Sequence, residues 1–335
     1  MAVGPSLSVV IPCYNEAQRL PGLLDALAGQ THPPDEILVV DGGSPDGTAA
    51  AAEGWGAAHP ARRLRVLANP ERHIPHALNR GIAAAQSEVV ARLDGHCRPA
   101  PDYLERCLRA LADSGAEVVG GGWDVRPGGP GPVAAAIARA ASSPLGAGDA
   151  QYRRLAGAEP GAVDTVPFGC FRRATWEAVG GFDESLLTNE DYDFNWRVRQ
   201  RGGRVWLDPR IRCEYYARAS LGALARQYWR YGWWKAQMLR RQPQSLRGRQ
   251  AAPAAWAAVA LLGWLPALVW RPWLWAFGGL WSIYLLVLAG DAVRRAGGAL
   301  AQTVALAGAY VVIHFGWGLG FWAGLILGRR HSRSR

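Results

Sequence analysis

Asp94-Gly95-His96 sets a carboxylate and an imidazole on either side of a glycine. An aspartate oxygen and a histidine nitrogen so spaced can point at one divalent ion, and that ion can bridge two phosphates of a nucleotide. The same tripeptide also suits an ordinary Asp-Gly turn with a solvated imidazole. Other polar clusters decide between these readings. Asn15, Glu16, Asp41, Ser44 and Asp46 are acids, amides and a hydroxyl of the kind that hydrogen-bond a ribose and a base edge. Thr188-Asn189-Glu190-Asp191-Tyr192-Asp193 gathers three carboxylates, which by themselves suit the first turn of a helix, complementing its dipole before Phe194 to Arg201.

These clusters need elements to hold them. Leu7 to Ile11, Ile37 to Val40, Leu64 to Leu67 and residues 88 to 93 are short apolar runs suited to buried strands. Ala17 to Gly29, Ala49 to Ala58 and Ile74 to Ala85 between them read as helices. Strand and helix alternate, which predicts an α/β fold with a mostly parallel, right-handed sheet and ligands at the carboxyl ends of its strands. Asn15, Asp41 and Asp94 all fall at such ends. No Gly-x-Gly-x-x-Gly follows the first strand and no Walker phosphate loop occurs, so phosphate charge falls to a metal at Asp94 and His96.

The net charge of +10 is unevenly spread. Residues 1 to 196 carry 16 basic and 24 acidic side chains, whereas 197 to 250 carry 14 and 2, and 251 to 335 carry 7 and 1. Stretches 251 to 270, 273 to 290 and 299 to 328 contain no Asp, Glu, Lys or Arg, and each is near or above the ~20 residues that cross a bilayer as a helix. The basic block abuts these stretches, where it would meet anionic head groups. An acidic preceding domain argues against nucleic acid as a partner. Five cysteines, odd in number and without a CxxC pair, predict free thiols in a reducing compartment. The N-terminus has no signal-peptide pattern, so the first domain is expected to face the cytoplasm.

Four spaced motifs, in order, resemble the family 2 glycosyltransferases. They are Val9-Val10-Ile11-Pro12-x-Tyr14-Asn15-Glu16, then Glu36-Ile37-x-Val39-Val40-Asp41-Gly42-x-Ser44-x-Asp46-Gly47-Thr48, then Asn69 with Asn79 and Gly81, and Asp94-Gly95-His96. The resemblance implies a GT-A fold, Rossmann-like with a mostly parallel sheet, and a nucleotide-sugar donor, with a UDP-sugar expected. His96 stands where the family's Asp-x-Asp metal motif has its second acid. This pattern is similar to the membrane-attached, succinoglycan-biosynthesis ExoA type. The resemblance implies Mn²⁺ or Mg²⁺ on Asp94 and His96. It places Pro12, Tyr14, Asn15, Glu16, Asp41, Ser44, Asp46, Asn69, Asp94, Gly95 and Arg230 on the donor. Asp191 becomes the base of an inverting transfer, with Glu190, Gln227 and Tyr231 on the acceptor.

Gln227-Tyr228-Trp229-Arg230-Tyr231 resembles the Gln-x-x-Arg-Trp motif of membrane-bound members, with Tyr231 in place of Trp. A guanidinium fork suits a diphosphate and an aromatic face suits a pyranose. The same stretch also reads as a basic, Trp-rich interfacial helix. Cys170 reads as a packed residue and not a nucleophile, and His73 and His76 as structural or solvated. Val166 to Arg173 reads as a strand and turn lining the acceptor side. The Gly- and Pro-rich insert at 126 to 160 fits either a lid or, from Val133 to Ala141, a surface helix.

The expected organisation is a GT-A domain over 1–218, an interfacial helix and linker over 219–250, a transmembrane region over 251–328 and a basic tail over 329–335. Charge placement predicts two spans and leaves a third open, because three would put the tail outside, against the positive-inside rule. Gly316, Gly318, Gly320 and Gly324 suggest a bend or re-entrant turn in the last stretch. The expected protein is a multi-pass enzyme of the cell membrane that extends a polyprenyl-linked glycan in exopolysaccharide or cell-surface glycan synthesis. The rival readings are a processive polysaccharide synthase and a non-catalytic membrane-tethered scaffold that binds nucleotide sugars.

Overall fold

The computed structural model describes residues 5–148, 150–155 and 157–328; the basic tail at 329–335 lies outside them. The first elements are β1 (Leu7–Cys13), α1 (Leu20–Ala28), β2 (Glu36–Asp41), α2 (Thr48–Ala58), β3 (Leu64–Ala68), α3 (Ile74–Ala84) and β4 (Val89–Arg92). β5 (Arg98–Pro99), α4 (Tyr103–Ser114) and β6 (Val118–Arg126) follow, then α5 (Pro132–Ala141), α6 (Pro144–Ala147), β7 (Gly161–Ala162), β8 (Cys170–Arg172), α7 (Arg173–Val179), α8 (Glu190–Gln200) and β9 (Val205–Tyr216). The C-terminal helices are α9 (Leu221–Arg241), α10 (Gly248–Leu262), α11 (Trp273–Ala296) and α12 (Leu300–Leu327).

One sheet runs in the order β3-β2-β1-β4-β8-β6-β9-β5, with β7 beside β9. β1 pairs in parallel with both β2 and β4, and β2 with β3, as the alternating apolar runs predict. β4 then meets β8 antiparallel. Strands β1, β2 and β4 are buried along their whole length, which is why they lack the in-out alternation of a half-exposed sheet. Chain order reverses between β1 and β4, so the loops after these two strands open a crevice where ligands of open α/β sheets bind.

The chain forms two compact units. One comprises residues 1–124 and 154–215, and the other 125–153 and 216–335. The insert therefore groups with the C-terminal helices instead of the catalytic domain outlined as 1–218. The physical reason is its Ala-rich helix: Ala136, Ile137 and Ala140 of α5 are fully buried in one apolar cluster with α9 and α12. The surface-helix reading of Val133 to Ala141 thus gives the right element with the wrong environment.

Three helical segments, Gly248–Leu268, Trp273–Ala296 and Leu300–Leu327, are long and apolar enough to cross a membrane. α12 is continuous, and its glycines serve packing instead of bending. A Cβ on Gly320 would lie 2.3 Å from the Trp229 carbonyl oxygen, and one on Gly318 would lie 2.4 Å from that of Pro253. Only glycine lets α9 and α10 approach so closely.

Candidate active site

β4 ends in Arg92, two residues before Asp94, and this arginine joins the site together. Its side chain is 8% exposed. Nη2 lies 3.1 Å from Asp94 Oδ1, and Nη1 lies 2.8 Å from Glu190 Oε1. Burial opposes its charge, but the Asp94, Glu190 and Asp191 carboxylates more than compensate and raise its pKa. One guanidinium thus ties the strand-end carboxylate to the acidic pair 96 residues later in the chain.

That pair is held by α8. Asn189, in the left-handed conformation at φ 69°, turns the chain into the helix, and Glu190, Asp191 and Asp193 fill its first turn. Phe194 stacks on Phe182 with centroids 4.6 Å apart and meets Phe171 of β8 at 5.0 Å, which fixes the helix start beside β4. Asn79 of α3 clamps the preceding loop, accepting from Phe182 N at 2.8 Å and donating to its carbonyl at 2.9 Å. Asp191 is half-buried and its Oδ1 accepts from its neighbour Tyr192 N at 2.7 Å. Desolvation, followed by repulsion from Glu190, raises its pKa to about 6.

Across the crevice, His96 Nδ1 sits 2.8 Å from Glu16 Oε1. This hydrogen bond raises the His96 pKa against the effect of burial. Gly95 allows the approach, because a Cβ there would lie 3.1 Å from both Cys13 Sγ and Glu16 Cγ. Cys13, buried among Glu16, Asp41 and Asp94, has its thiol pKa pushed far up and stays protonated. All five cysteines are free and buried, as their spacing implied.

The loops after β1 and β2 are knitted together. Asp41 accepts from Gly43 N and Ser44 N and, at 2.5 Å, from Ser44 Oγ. Ser44 Oγ in turn accepts from the backbone of Asn15, whose φ of 58° turns the chain out of β1. Asp46 accepts from Thr48 Oγ1 and Ala17 N. Pro12 is buried within β1, while Tyr14 is half-exposed with its ring over Gly42. Asn69 gives its Nδ2 proton to the His73 carbonyl, and its buried Oδ1 has no donor among the described residues.

The donor set fits a divalent ion. Glu16 on Nδ1 selects the tautomer that leaves His96 Nε2 free to ligate, the usual outer-sphere arrangement for a metal-bound histidine. Asp94 Oδ1 faces Arg92, leaving Oδ2 for the ion, and Glu16 Oε2 is buried without a hydrogen-bond partner. Among the described residues no group of three or more His, Cys, Asp or Glu forms a closed cage. One carboxylate and one imidazole suit Mn²⁺ or Mg²⁺ completed by phosphate oxygens and water.

The chain is 31% identical over 328 residues to the succinoglycan biosynthesis protein ExoA of Rhizobium meliloti (strain 1021), covering 96% of each. Residues 8–174 match the Glycosyl transferase family 2 model. The chain is a family 2 glycosyltransferase. Another relative of this glycosyltransferase is a dolichyl N-acetyl-α-D-glucosaminyl phosphate 3-β-D-2,3-diacetamido-2,3-dideoxy-β-D-glucuronosyltransferase of Methanococcus voltae. It is 25% identical over 242 residues, covering 70% of this chain and 74% of that one. The fold is GT-A-like. It is shared with the mannosyltransferase PcManGT from Pyrobaculum calidifontis, solved with GDP-Man and Mn²⁺, at TM-score 0.57 and 23% identity over 93% and 88% of the two chains.

Of the sequence-derived site residues of this glycosyltransferase, those from Pro12 to Asp94, with Gly95, His96, Glu190 and Asp191, belong to the sheet-bearing unit. Gln227, Arg230 and Tyr231 belong to the other, on α9, where Gln227 donates to the Tyr231 hydroxyl at 2.9 Å. Two features escaped the sequence reading. Arg92 is the first, although a lone arginine closing the buried run Val89-Val90-Ala91 is a usable signal, since a buried charge needs partners. The bond of Glu16 to His96 is the second, since no spacing rule links positions 80 residues apart.

Proposed function

We propose that this family 2 enzyme catalyses an inverting, divalent-metal-dependent transfer of a sugar from a nucleoside diphosphate donor to a hydroxyl of a lipid-linked glycan. The observation that carries the reading is the Arg92 bridge, which brings Asp94 and the Glu190-Asp191 pair within reach of one side chain. Leaving-group stabilisation and acceptor deprotonation are the two tasks of such a transfer, and here they are adjacent.

In this reading Asp94 Oδ2 and His96 Nε2 hold Mn²⁺ or Mg²⁺, with Glu16 orienting His96. When bound, the ion neutralises charge that develops on the departing diphosphate. The network of Asp41, Ser44 and Asp46 forms the nucleoside side, with Asn69 Oδ1 an acceptor for a base-edge N–H. Pro12, Tyr14 and Gly95 shape the same pocket. Asp191 takes the proton of the acceptor hydroxyl, and a pKa near 6 leaves it mostly ionised at neutral pH yet more basic than a solvated aspartate. Glu190, fixed by Arg92, raises that basicity and faces the acceptor. Gln227, Arg230 and Tyr231 serve the donor diphosphate and the acceptor sugar.

The donor class is a UDP-sugar and the acceptor a polyprenyl-linked glycan of exopolysaccharide or cell-surface synthesis. ExoA and the archaeal dolichyl-phosphate enzyme carry names of that kind, and PcManGT was solved with a nucleotide sugar and Mn²⁺. The enzyme is multi-pass in the cell membrane, its catalytic unit in the cytoplasm. Purified in detergent with Mn²⁺, it should bind UDP and slowly hydrolyse or transfer from a UDP-sugar. Asp94→Ala should abolish UDP binding, while Asp191→Asn should keep UDP binding and lose transfer. Unchanged binding and turnover in Asp94→Ala would refute the assignment.

A further inference from the structure

We propose that α12 does not cross the membrane. The chain enters the bilayer only as the α10–α11 hairpin, and the C-terminal end of α12 stays on the side of α9. The inference rests on the membrane reading above and specifies its topology.

Mean hydropathy does not distinguish the three candidate segments, at 1.6 each, but burial does. Half of the α12 window is buried by protein, against 11% for each of the other two. No residue from Ala305 to Phe321 is exposed. The hairpin is exposed along its length, with Leu261, Leu262, Leu268, Ile283, Leu286 and Val287 each more than 50% exposed, whereas the large apolar side chains that α12 exposes, Leu300, Val304, Trp322, Ile326 and Leu327, lie toward its two ends. Its tip carries Val269, 95% exposed, with Trp270, Arg271 and Trp275, a set suited to the far interface.

α9 covers α12 along its length. Gly308 lies by Leu221, Gly316 by Ala225 and Tyr228, Gly320 by Trp229 and Gly324 by Trp233. At the far end Gln237 donates to the Gly324 carbonyl at 2.8 Å, and Arg240 bonds the Leu325 and Gly328 carbonyls. Arg226 and Arg230 are exposed on α9 beside the middle of α12. A spanning α12 would draw both guanidinium groups to mid-bilayer depth, where charge is strongly disfavoured.

A second contact agrees. His314, also at mid-length of α12, donates from Nε2 to the Leu145 carbonyl at 2.7 Å. Leu145 belongs to the insert, whose two ends both join the sheet-bearing unit. The centre of α12 therefore packs on the insert as well as on α9. Such a fold returns both ends of α12 to one side and satisfies the positive-inside rule for Arg329, Arg330, Arg333 and Arg335.

The test is sided labelling of the full chain in its native membrane with an impermeant maleimide. Glu53→Cys reports the catalytic unit, Val269→Cys the hairpin tip, and an epitope after Arg335 the C-terminus by protease accessibility; the unaltered chain, its cysteines buried, is the blank. The expected result is Val269→Cys labelled only from the face opposite Glu53→Cys, with the epitope cleaved only from the Glu53 face. An epitope cleaved from the Val269 face would overturn the proposal and leave the membrane reading intact. Labelling of Val269→Cys and Glu53→Cys from one face, or release of the chain by alkaline carbonate, would overturn both.

Discussion

Replacing Asp191 by Asn should remove transfer while making the fold more stable at neutral pH. The carboxyl is displaced from its ordinary value of 3.8 to about 6, chiefly by desolvation and then by Glu190. At 1.36 kcal/mol per unit, a displacement of about two units is worth about 3 kcal/mol, a ceiling because the open side of the crevice screens it. The sign follows from proton uptake. Between pH 4 and 6 the folded chain holds a proton that the unfolded chain releases, so this group's contribution to stability falls as pH rises through that window and remains lost above it. Asparagine stays neutral and its Oδ1 can still accept from Tyr192 N. Thermal unfolding of the full chain in detergent should therefore show Asp191→Asn above the parent at pH 8, by up to roughly 6 to 12 °C at 2–4 °C per kcal/mol, and level with it near pH 4. Equal stability at pH 8, or a gap of the same size at both pH values, would refute the argument that this carboxylate is held in a strained, desolvated state.

The pH–rate profile of transfer should rise through about 6 and level off above it, because Asp191 acts in its ionised form; a flat profile from pH 5 to 8 would deny it the role of base. Arg92→Met leaves buried carboxylates without their cation and should lower stability by about 3–5 kcal/mol, read as a fall in unfolding temperature. Arg92→Lys should fold but transfer at least tenfold more slowly, since an ammonium cannot fork between Asp94 and Glu190. Glu16→Ala frees the His96 ring and should weaken Mn²⁺ binding by about 10–100-fold in a titration followed by calorimetry with UDP present. Gly320→Ala forces a methyl against the Trp229 carbonyl and should destabilise by about 1–3 kcal/mol. Gly278→Ala, with no atom within 4 Å of its Cβ, should change little.

Three of the four parallel strands, β1, β2 and β4, were legible because fully buried strands are written as largely apolar runs, and the half-buried β3 from Leu64, Val66 and Leu67 around Arg65. Leu7 to Ile11 falls inside β1, and Ile37 to Val40 inside β2. The α8 start was legible too, from acids that favour a helix N-terminus: Glu190, Asp191 and Asp193 lie in its first turn. What stayed hidden depends on three-dimensional approach. Gly318, Gly320 and Gly324 looked like breaks in a helix because glycine has low helix propensity, whereas their missing side chains admit α9 and α10. Likewise, the low-complexity composition around Pro132 to Ala141 conceals which unit its apolar face joins.

That membership bears on how the catalytic part can be isolated. A chain cut before Leu221 keeps the helix formed by Pro132–Ala141 yet strips away its packing partners, so a row of small apolar side chains would meet water and invite aggregation. Excising 125–153 as well, with a short glycine bridge from Asp124 to Arg154, follows the natural seam of the molecule and is the sounder route to a water-soluble sheet-bearing unit, without Gln227, Arg230 and Tyr231 of α9.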